Sequence, residues 1–178
     1  MKILLINGSP HVKGTSALLK DEFIRGAAEK GHEVKVFHAA QETVHPCIAC
    51  DKCREESGRC VFHDAMDTLN PLLIEADLVV FVTPLYYFGM STQLKSVIDR
   101  FYASNSALRS CGKKAVILAT CGDTDDWAFD ALKQHFETVC RYLKWELAGS
   151  IYAAGMYVRE DIENSLYPET AYQLGKNL

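Results

Sequence analysis

Five short runs of apolar residues recur along the chain, separated by longer segments whose apolar positions follow helical spacing. Each run is nearly continuous in hydrophobicity and rich in β-branched residues, which is typical of strands buried on both faces of a parallel sheet. The segments between them place apolar side chains at i, i+3, i+4 and i+7, the period of one helix face. Strands are predicted at residues 2–7, 33–38, 78–83, 115–120 and 147–153.

The segments between and after these strands predict five helices. In the first, Leu19, Phe23 and Ala27 follow one another at intervals of four and share one face. Pro71 falls inside the second helix and predicts a kink or a restart there. Strand and helix therefore alternate five times, which predicts a parallel sheet with right-handed crossovers and helices on both faces. The helices are expected at 15–30, 66–76, 94–101, 129–143 and after Pro168.

Composition limits the classes of protein that need to be considered. With 178 residues, 48% of them hydrophobic, the chain is predicted to form one domain over 1–178, with a cysteine-rich excursion at 41–63. A net charge of -4 and the lack of any Lys/Arg-rich run argue against a nucleic-acid partner. The first apolar run ends at Asn7, and no run is long enough to span a bilayer. We therefore expect a cytoplasmic protein without a membrane partner, whose seven cysteines are thiols or ligands rather than disulfides.

An unusual segment follows the third predicted strand, where a proline, three consecutive aromatic residues and a glycine lead into the next helix. A proline stiffens the chain, aromatic rings offer planar faces, and a glycine lets a ligand approach the backbone closely. The segment therefore predicts one wall of a binding site for a flat ring, and the alternative is core packing in an ordinary connection. The predicted wall consists of Pro84, Leu85, Tyr86, Tyr87, Phe88 and Gly89.

A second candidate site lies where the first strand runs directly into a loop of small residues and then a helix. The free N–H groups and the dipole at a helix N-terminus both favour an anion at that position. In this loop Gly8 and Gly14 provide flexibility, while Ser9, Thr15 and Ser16 provide hydroxyl donors. The spacing matches neither the Walker loop nor G-x-G-x-x-G, which argues against adenine nucleotides bound in those two modes.

Cys47, Cys50, Cys53 and Cys60 follow the spacing C-x2-C-x2-C-x6-C. Compact four-cysteine loops usually hold iron–sulfur clusters, whereas structural zinc usually takes two separated C-x2-C pairs. Four adjacent thiolates repel one another unless a cation lies between them, and free protonated thiols are the third alternative. Cys53 and Arg59 also fit the C-x5-R spacing of tyrosine phosphatases, in which a thiolate attacks phosphorus and an arginine holds the phosphate.

Taken together, these loops resemble those of the flavodoxin-like NAD(P)H-dependent FMN reductases, and the resemblance covers nearly the whole chain. It implies an α/β flavodoxin-like three-layer sandwich with a five-stranded parallel sheet of order 2-1-3-4-5 and helices on both faces. FMN would lie at the carboxyl ends of strands one and three, where the strand order reverses. Asp99 and Arg100 belong to the resemblance, and we interpret them as a helix-end salt bridge. The resemblance rests on residues 7–10, 76–77, 83–89 and 94–100.

The resemblance also implies roles for the two loops and for a third. The first loop would hold the FMN phosphate, residues 84–89 would border the isoalloxazine, and the loop after the fourth strand would form the third wall. Relatives often carry arginine at the position of His11, so the phosphate would meet less fixed positive charge in this chain. The implied phosphate residues are Ser9, His11, Gly14, Thr15 and Ser16, and those of the third wall are Thr120, Cys121, Gly122 and Asp123.

The implied function is an FMN-dependent oxidoreductase that takes hydride from NAD(P)H and passes electrons to a quinone, a small electrophile or a redox partner. The cysteine spacing resembles that of the iron-sulfur flavoproteins, a branch in which a [4Fe-4S] cluster exchanges electrons with FMN. A non-enzymatic electron carrier of the flavodoxin type is the alternative. Relatives often form homodimers or homotetramers. No catalytic residue is predicted, because the cofactor performs the chemistry.

Overall fold

The structure, a computed structural model, describes residues 1–55, 58–109 and 111–178. Its strands are β1 (Lys2–Asn7), β2 (Glu33–His38), β3 (Leu78–Tyr86), β4 (Gly89–Met90), β5 (Lys114–Thr120) and β6 (Glu146–Ala153). Five of them form a parallel sheet of order β2-β1-β3-β5-β6, and the two-residue β4 pairs antiparallel with β3. The predicted order 2-1-3-4-5 is confirmed, because the short β4 lies off this path and was not among the predicted strands.

All five predicted helices are present, and the structure adds short helical segments that the apolar spacing did not indicate. The helix around Pro71 is continuous rather than restarted, since α3 runs through it from Met66 to Glu75. Within the described ranges, no helix combines the length and apolar composition that crossing a membrane requires. The helices are α1 (Thr15–Glu29), α2 (Lys52–Glu55), α3 (Met66–Glu75), α4 (Thr92–Arg100), α5 (Asn105–Leu108), α6 (Asp130–Leu143), α7 (Arg159–Glu163) and α8 (Tyr167–Lys176), with a 3₁₀ turn at Phe101–Ser104.

Two apolar cores lie on opposite faces of the sheet. Successive side chains of a strand point to opposite faces, so Leu4 and Ile6 join one core while Ile3 and Leu5 join the other. Residues of α3, α4 and α6 cover the first core, and residues of α1, α7 and α8 cover the second. Because both faces are covered, the strands need apolar residues at every position, which explains the continuous runs in the sequence.

Helices α1 and α8 approach each other closely through two glycines. A Cβ atom at Gly26 would lie 2.0 Å from the carbonyl oxygen of Tyr172, and one at Gly175 would lie 2.2 Å from that of Phe23. The Tyr172 hydroxyl also donates a hydrogen bond to Glu29 across the two helices (2.6 Å). The absence of side chains at the two glycines therefore permits this backbone contact.

Strand β3 continues past its predicted end at residue 83 because β4 pairs with its last residues. Pro84 consequently lies within the strand, opposite Thr120 of β5, rather than at its exit as the sequence suggested. The pairing of β3 with β1 ends at Val82, so Pro84 interrupts no ladder bond on that side.

Candidate functional site

The loops predicted to form a binding site leave the same edge of the sheet. Strands β1, β3 and β5 are parallel neighbours, with Asn7 opposite Val82 and Pro84 opposite Thr120 at their carboxyl ends. The crevice outside such strand ends is the usual ligand position in open α/β sheets. The structure therefore brings the three predicted walls of the flavin site to one end of the molecule, called here the flavin crevice.

Ser91 connects the first two walls of the flavin crevice. Its hydroxyl donates to the carbonyl oxygen of Gly8 (2.7 Å), and its backbone N–H donates to the Thr83 hydroxyl (2.9 Å). The same hydroxyl accepts the N–H of Leu94 and so caps helix α4. A Cβ at Gly8 would lie 2.6 Å from both the Ser91 hydroxyl and the Leu94 Cβ, so this contact requires glycine.

The loop predicted to bind phosphate folds on itself before helix α1. The N–H of Ser9 donates to the Asn7 side chain (3.1 Å), and the N–H of His11 donates to the Ser9 hydroxyl (3.3 Å). Ser9 is buried, whereas the His11 side chain is exposed. Gly14 is the N-cap residue of α1, and no side chain caps the helix there. The N-terminal N–H groups of α1 are thus not taken by a capping side chain, as an anion site requires.

Three hydroxyls meet between the phosphate loop and the end of β5. Thr15 donates to the hydroxyl of Thr120 (3.0 Å), and Ser16 lies 2.8 Å from the same oxygen. Ser16 and Thr120 are both buried. The structure thus joins residues from the first and third predicted walls, although their hydroxyls bond to one another here. Their contacts to phosphate stay a prediction.

The aromatic segment forms a β-hairpin with a two-residue turn rather than an ordinary connection. The turn residues Tyr87 and Phe88 both have positive φ, 45° and 62°, and Tyr86 pairs with Gly89 across it. Hairpin turns with positive φ at both central residues favour asparagine and glycine, because other residues pay about 1 to 2 kcal/mol each there. The Tyr87 side chain is fully exposed, at 102%. A strained, exposed aromatic turn is typical of a functional site.

Two aromatic residues that the sequence analysis missed extend the walls of the flavin crevice. The ring of Trp127, in the loop after β5, lies 5.0 Å from that of Phe88, and its side chain is 55% exposed. Tyr157, in the loop after β6, packs against Gly122, where a Cβ would come within 2.7 Å of its ring. Both loops leave the sheet edge that carries the predicted walls. Their position after predicted strands was the signal in the sequence by which Trp127 and Tyr157 could have been found.

The sequence analysis also missed a positive charge beside the phosphate loop. Arg159, the first residue of α7, directs Nη1 at the carbonyl oxygens of Lys13 (3.5 Å) and Gly14 (3.4 Å). Its Nε also donates to Glu163 (2.6 Å). The arginine therefore stands next to the N-cap of α1, beside the loop that contains His11.

The loop after β5 is held by the backbone of the loop after β6. The N–H of Gly155 donates to the carbonyl of Asp123, and that of Met156 donates to the carbonyl of Cys121, both at 2.7 Å. Cys121 is buried, and its thiol donates to the Asp123 carbonyl (3.3 Å). Burial raises the pKa of the Cys121 thiol. This cysteine is therefore a packed thiol within the third wall rather than a nucleophile.

The four cysteines of the C-x2-C-x2-C-x6-C motif lie in a separate segment between β2 and α3. The backbone has positive φ at Ala49 (54°) and Asp51 (57°), on either side of the second cysteine. These two left-handed residues turn the chain around a cavity of about 30 Å³. All four motif cysteines, Cys47, Cys50, Cys53 and Cys60, are among the residues that line it.

The family model for NADPH-dependent FMN reductases matches residues 1–155. The chain belongs to this FMN reductase family. An iron-sulfur flavoprotein of Methanocaldococcus jannaschii is 38% identical over 100 residues, covering 56% of this chain and 51% of that protein. An iron-sulfur flavoprotein of Archaeoglobus fulgidus is 31% identical over 131 residues, covering 72% of this chain and 59% of that protein. The chain thus spans little more than half the length of these curated relatives.

A solved structure is similar in fold over nearly the whole chain. It is an NAD(P)H:quinone oxidoreductase from Methanothermobacter marburgensis, with a TM-score of 0.71 and 20% identity. The match covers 99% of this chain and 95% of that one. The flavodoxin-like architecture predicted from the sequence is therefore confirmed for this member of the FMN reductase family.

The cysteine cavity is small, and within the described residues it is not a preformed metal site. Over the described residues, no three His, Cys, Asp or Glu side chains converge closely enough to hold one ion. A zinc site needs four donors within about 2.3 Å of one centre. In a four-iron cluster each thiolate binds a different iron, so the thiols stand farther apart. At about 30 Å³ the cavity has room for only one or two waters, so a cluster requires the segment to widen.

Cys53 differs from the nucleophile of a tyrosine phosphatase. Burial raises the pKa of the Cys53 thiol, and the neighbouring thiols of Cys60, Cys47 and Cys50 raise it further. A phosphatase cysteine needs the opposite, a pKa lowered by nearby positive charge. The C-x5-R spacing with Arg59 is therefore not supported as a phosphatase loop in this FMN reductase family member.

Asp99 and Arg100 do not form the helix-end salt bridge expected from the sequence. Asp99 pairs with Lys95 on the exposed face of α4 (2.6 Å). Arg100 is buried and pairs with Asp64, which follows the cysteine segment (2.8 Å). Residues 36 positions apart in the chain form this pair, and helical spacing cannot reveal a partner at that separation.

Proposed function

We propose that the protein is an FMN-dependent oxidoreductase that takes hydride from NAD(P)H and passes electrons to a quinone, a small electrophile or a redox protein. One observation carries the proposal: the uncapped N-terminus of α1 and the strained aromatic hairpin converge at the carboxyl ends of β1 and β3. Family membership agrees with that geometry. FMN, when bound, supplies hydride and electron transfer, and the protein positions the reacting rings.

The phosphate of FMN is proposed to lie at the N-terminus of α1. The N–H groups of this helix end and the hydroxyls around it provide donors, and the helix dipole favours the anion. Arg159 adds a positive charge next to Gly14, which offsets the lack of an arginine at position 11. The proposed phosphate residues are Ser9, His11, Gly14, Thr15 and Ser16.

The isoalloxazine is proposed to lie between the aromatic hairpin and the loop after β5, bordered by residues 84–89 and 120–123. Trp127 and Tyr87 are both more than half exposed at the mouth of this crevice. They leave planar aromatic surface for a nicotinamide ring, which favours a reductase over an electron carrier of the flavodoxin type. A second copy of the chain, in a homodimer or homotetramer, is proposed to cover part of this surface.

The cysteine segment is proposed to hold a [4Fe-4S] cluster that exchanges electrons with FMN. All four cysteines line one cavity, and their donor set is the one that such clusters use. The proposed ligands are Cys47, Cys50, Cys53 and Cys60.

FMN binding is expected with a dissociation constant at or below about 1 μM, and riboflavin is expected to bind at least about tenfold more weakly. The reason is that only FMN carries the phosphate for the α1 N-terminus. Fluorescence titration of both flavins measures the difference, and stopped-flow bleaching by NADPH or NADH then tests hydride transfer. Arg159→Gln should weaken the binding of FMN and leave the affinity for riboflavin unchanged. Arg141→Gln, at the far end of α6, should change neither affinity.

Equal affinity for the two flavins would contradict the phosphate site. Flavin that is reduced by dithionite but by neither nicotinamide would instead favour the electron carrier.

Anaerobically prepared protein is expected to be brown and to contain iron and sulfide in nearly equal amounts. Cys50→Ser should remove the brown colour and the iron but leave FMN bound, because the flavin crevice lies elsewhere. Cys111→Ser changes an exposed thiol outside the motif and serves as the matched control. Yellow protein without iron, whose four motif thiols react freely with a thiol reagent, would indicate a reductase that uses flavin alone.

A further inference from the structure

Arg100 is a buried charge at the end of helix α4, and its pairing with Asp64 does not by itself explain its presence. The two side chains are 2% and 1% exposed and lie 2.8 Å apart. Burial would raise the pKa of Asp64, but hydrogen bonds from Arg100 and from the backbone of His45 and Met66 lower it to about 2. A buried ion pair often stabilises a fold no better than apolar residues of the same size. Its further contacts therefore decide what it does.

Those contacts reach both ends of the cysteine segment. Arg100 Nη1 donates to the carbonyl of His45 (2.9 Å), and Nη2 donates to the carbonyl of Phe62 (3.5 Å). His45 precedes the first motif cysteine by two residues, and Phe62 follows the last by two. One guanidinium thus binds the chain on the way into the cysteine cavity and on the way out.

Asp64 and the rings of His45 and Phe62 add further contacts between the two ends of the segment, and together with Arg100 they are called here the anchor. The carboxylate of Asp64 accepts the backbone N–H of His45 (3.0 Å) and lies 3.1 Å from its Nδ1. The His45 ring stacks on the Phe62 ring with 4.7 Å between centroids. The two ends of the segment therefore contact each other as well as Arg100. The four thiols lie between fixed ends, so the middle of the segment can widen without losing its attachment.

Arg100 keeps its charge in this buried position. Burial would lower the pKa of Arg100, but its hydrogen bond to Asp64 and the charge of Asp64 raise it. The guanidinium reaches both ends of the segment and Asp64 through Nη1 and Nη2. A planar group with two such nitrogens is therefore what the anchor requires.

We propose that Arg100 is the positioning residue of the cysteine site: it ties both ends of the segment to α4. The inference deepens the proposed function at this site, but the anchoring geometry stands whether or not a cluster is bound. Helix α4 is capped at its other end by Ser91, which contacts the phosphate loop. Nine residues, roughly 14 Å of helix, therefore connect the cysteine site to the flavin crevice.

Two variants test the anchor. Arg100→Lys keeps the charge but loses the planar fork that reaches two carbonyls and a carboxylate. The double variant Arg100→Met with Asp64→Leu removes the anchor and leaves no unpaired buried charge, so the fold should persist. Lys95→Met, which breaks the exposed pair with Asp99 on the same helix, is the matched control.

Hydrogen exchange of the metal-free protein measures the anchor. Amides of residues 45–55 and 58–62 should exchange at least about tenfold faster in both Arg100 variants, while β3 should be unchanged. The control should match the wild type throughout. Unchanged exchange of the segment in both Arg100 variants would overturn the anchoring role.

The reduction potential of the iron-loaded protein is a second measure of positioning. A loosened segment changes the solvent access of the cluster, so the potential should shift in both Arg100 variants and stay at the wild-type value in Lys95→Met. An equal potential in all four proteins would argue against positioning of the cluster by Arg100. Wild-type protein without iron would overturn the proposed cluster instead, and the exchange result alone would then decide whether Arg100 positions the segment.

Discussion

Replacing Tyr87 with asparagine and Phe88 with glycine is expected to raise the free energy of unfolding by about 1 to 2 kcal/mol while weakening FMN binding at least about tenfold. Both residues have positive φ, and relief of that strain gains roughly 1 to 2 kcal/mol at each position. Loss of the contact between Phe88 and Trp127 destabilises the fold by about 0.5 to 1.5 kcal/mol and so offsets part of the gain. The same change removes two aromatic faces from the proposed flavin wall.

Urea unfolding of the flavin-free protein measures the first effect, since bound flavin would itself add stability. Flavin titration measures the second. Tyr87→Asn alone is the informative control, because it relieves one strained residue and keeps the contact of Phe88 with Trp127. It should gain stability with a smaller loss of affinity. A double variant that is less stable than the wild type would show that the turn is not strained. A double variant that binds FMN equally well would show that the two aromatic residues do not contribute to FMN binding.

Gly26→Ala is expected to lower the free energy of unfolding by about 3 kcal/mol, at the upper end for overpacking substitutions. The added methyl would lie 2.0 Å from the Tyr172 carbonyl oxygen and 2.9 Å from the Lys176 amide nitrogen. Both are backbone atoms of a helix, so α1 and α8 must separate. Alanine gains about 1 kcal/mol of helix propensity over glycine, which is too little to offset that separation.

Gly31→Ala is the matched control, because nothing lies within 4 Å of a Cβ at that position. It should lose only about 1 kcal/mol, since Gly31 has a φ of +73° that alanine adopts at a cost. Urea unfolding curves compare the two variants directly. Equal losses would mean that backbone conformation, rather than the contact between α1 and α8, sets the cost at Gly26.

The strands and the edge of the sheet where the candidate loops meet were predictable because their signals are local. A buried parallel strand requires a continuous apolar run, and the first and third runs lead directly into the glycine-rich loop and the aromatic segment. Parallel strands share a carboxyl edge, so these two segments had to meet. The bonds of Ser91 with Gly8 and Thr83 are the observed result.

The remaining features depend on contacts between distant parts of the chain. The partner of Arg100 lies 36 residues away, and Arg159 contacts a loop 145 residues earlier. Neither contact leaves a periodic pattern in the sequence. The hairpin turn was missed for another reason: its residues, Tyr87 and Phe88, contradict the local preference of such turns for asparagine and glycine.

The family match stops at residue 155, but the folded domain continues through helices α7 and α8. Helix α8 covers one side of α1, where Gly26 contacts Tyr172. Helix α7 places Arg159 beside the phosphate loop. A domain excised at residue 155 would therefore lose Ile162 and Ala171 from the second core and uncover the side of α1 that packs on α8. Newly exposed apolar surface invites aggregation, so for this protein the end of sequence similarity is a poor place to cut.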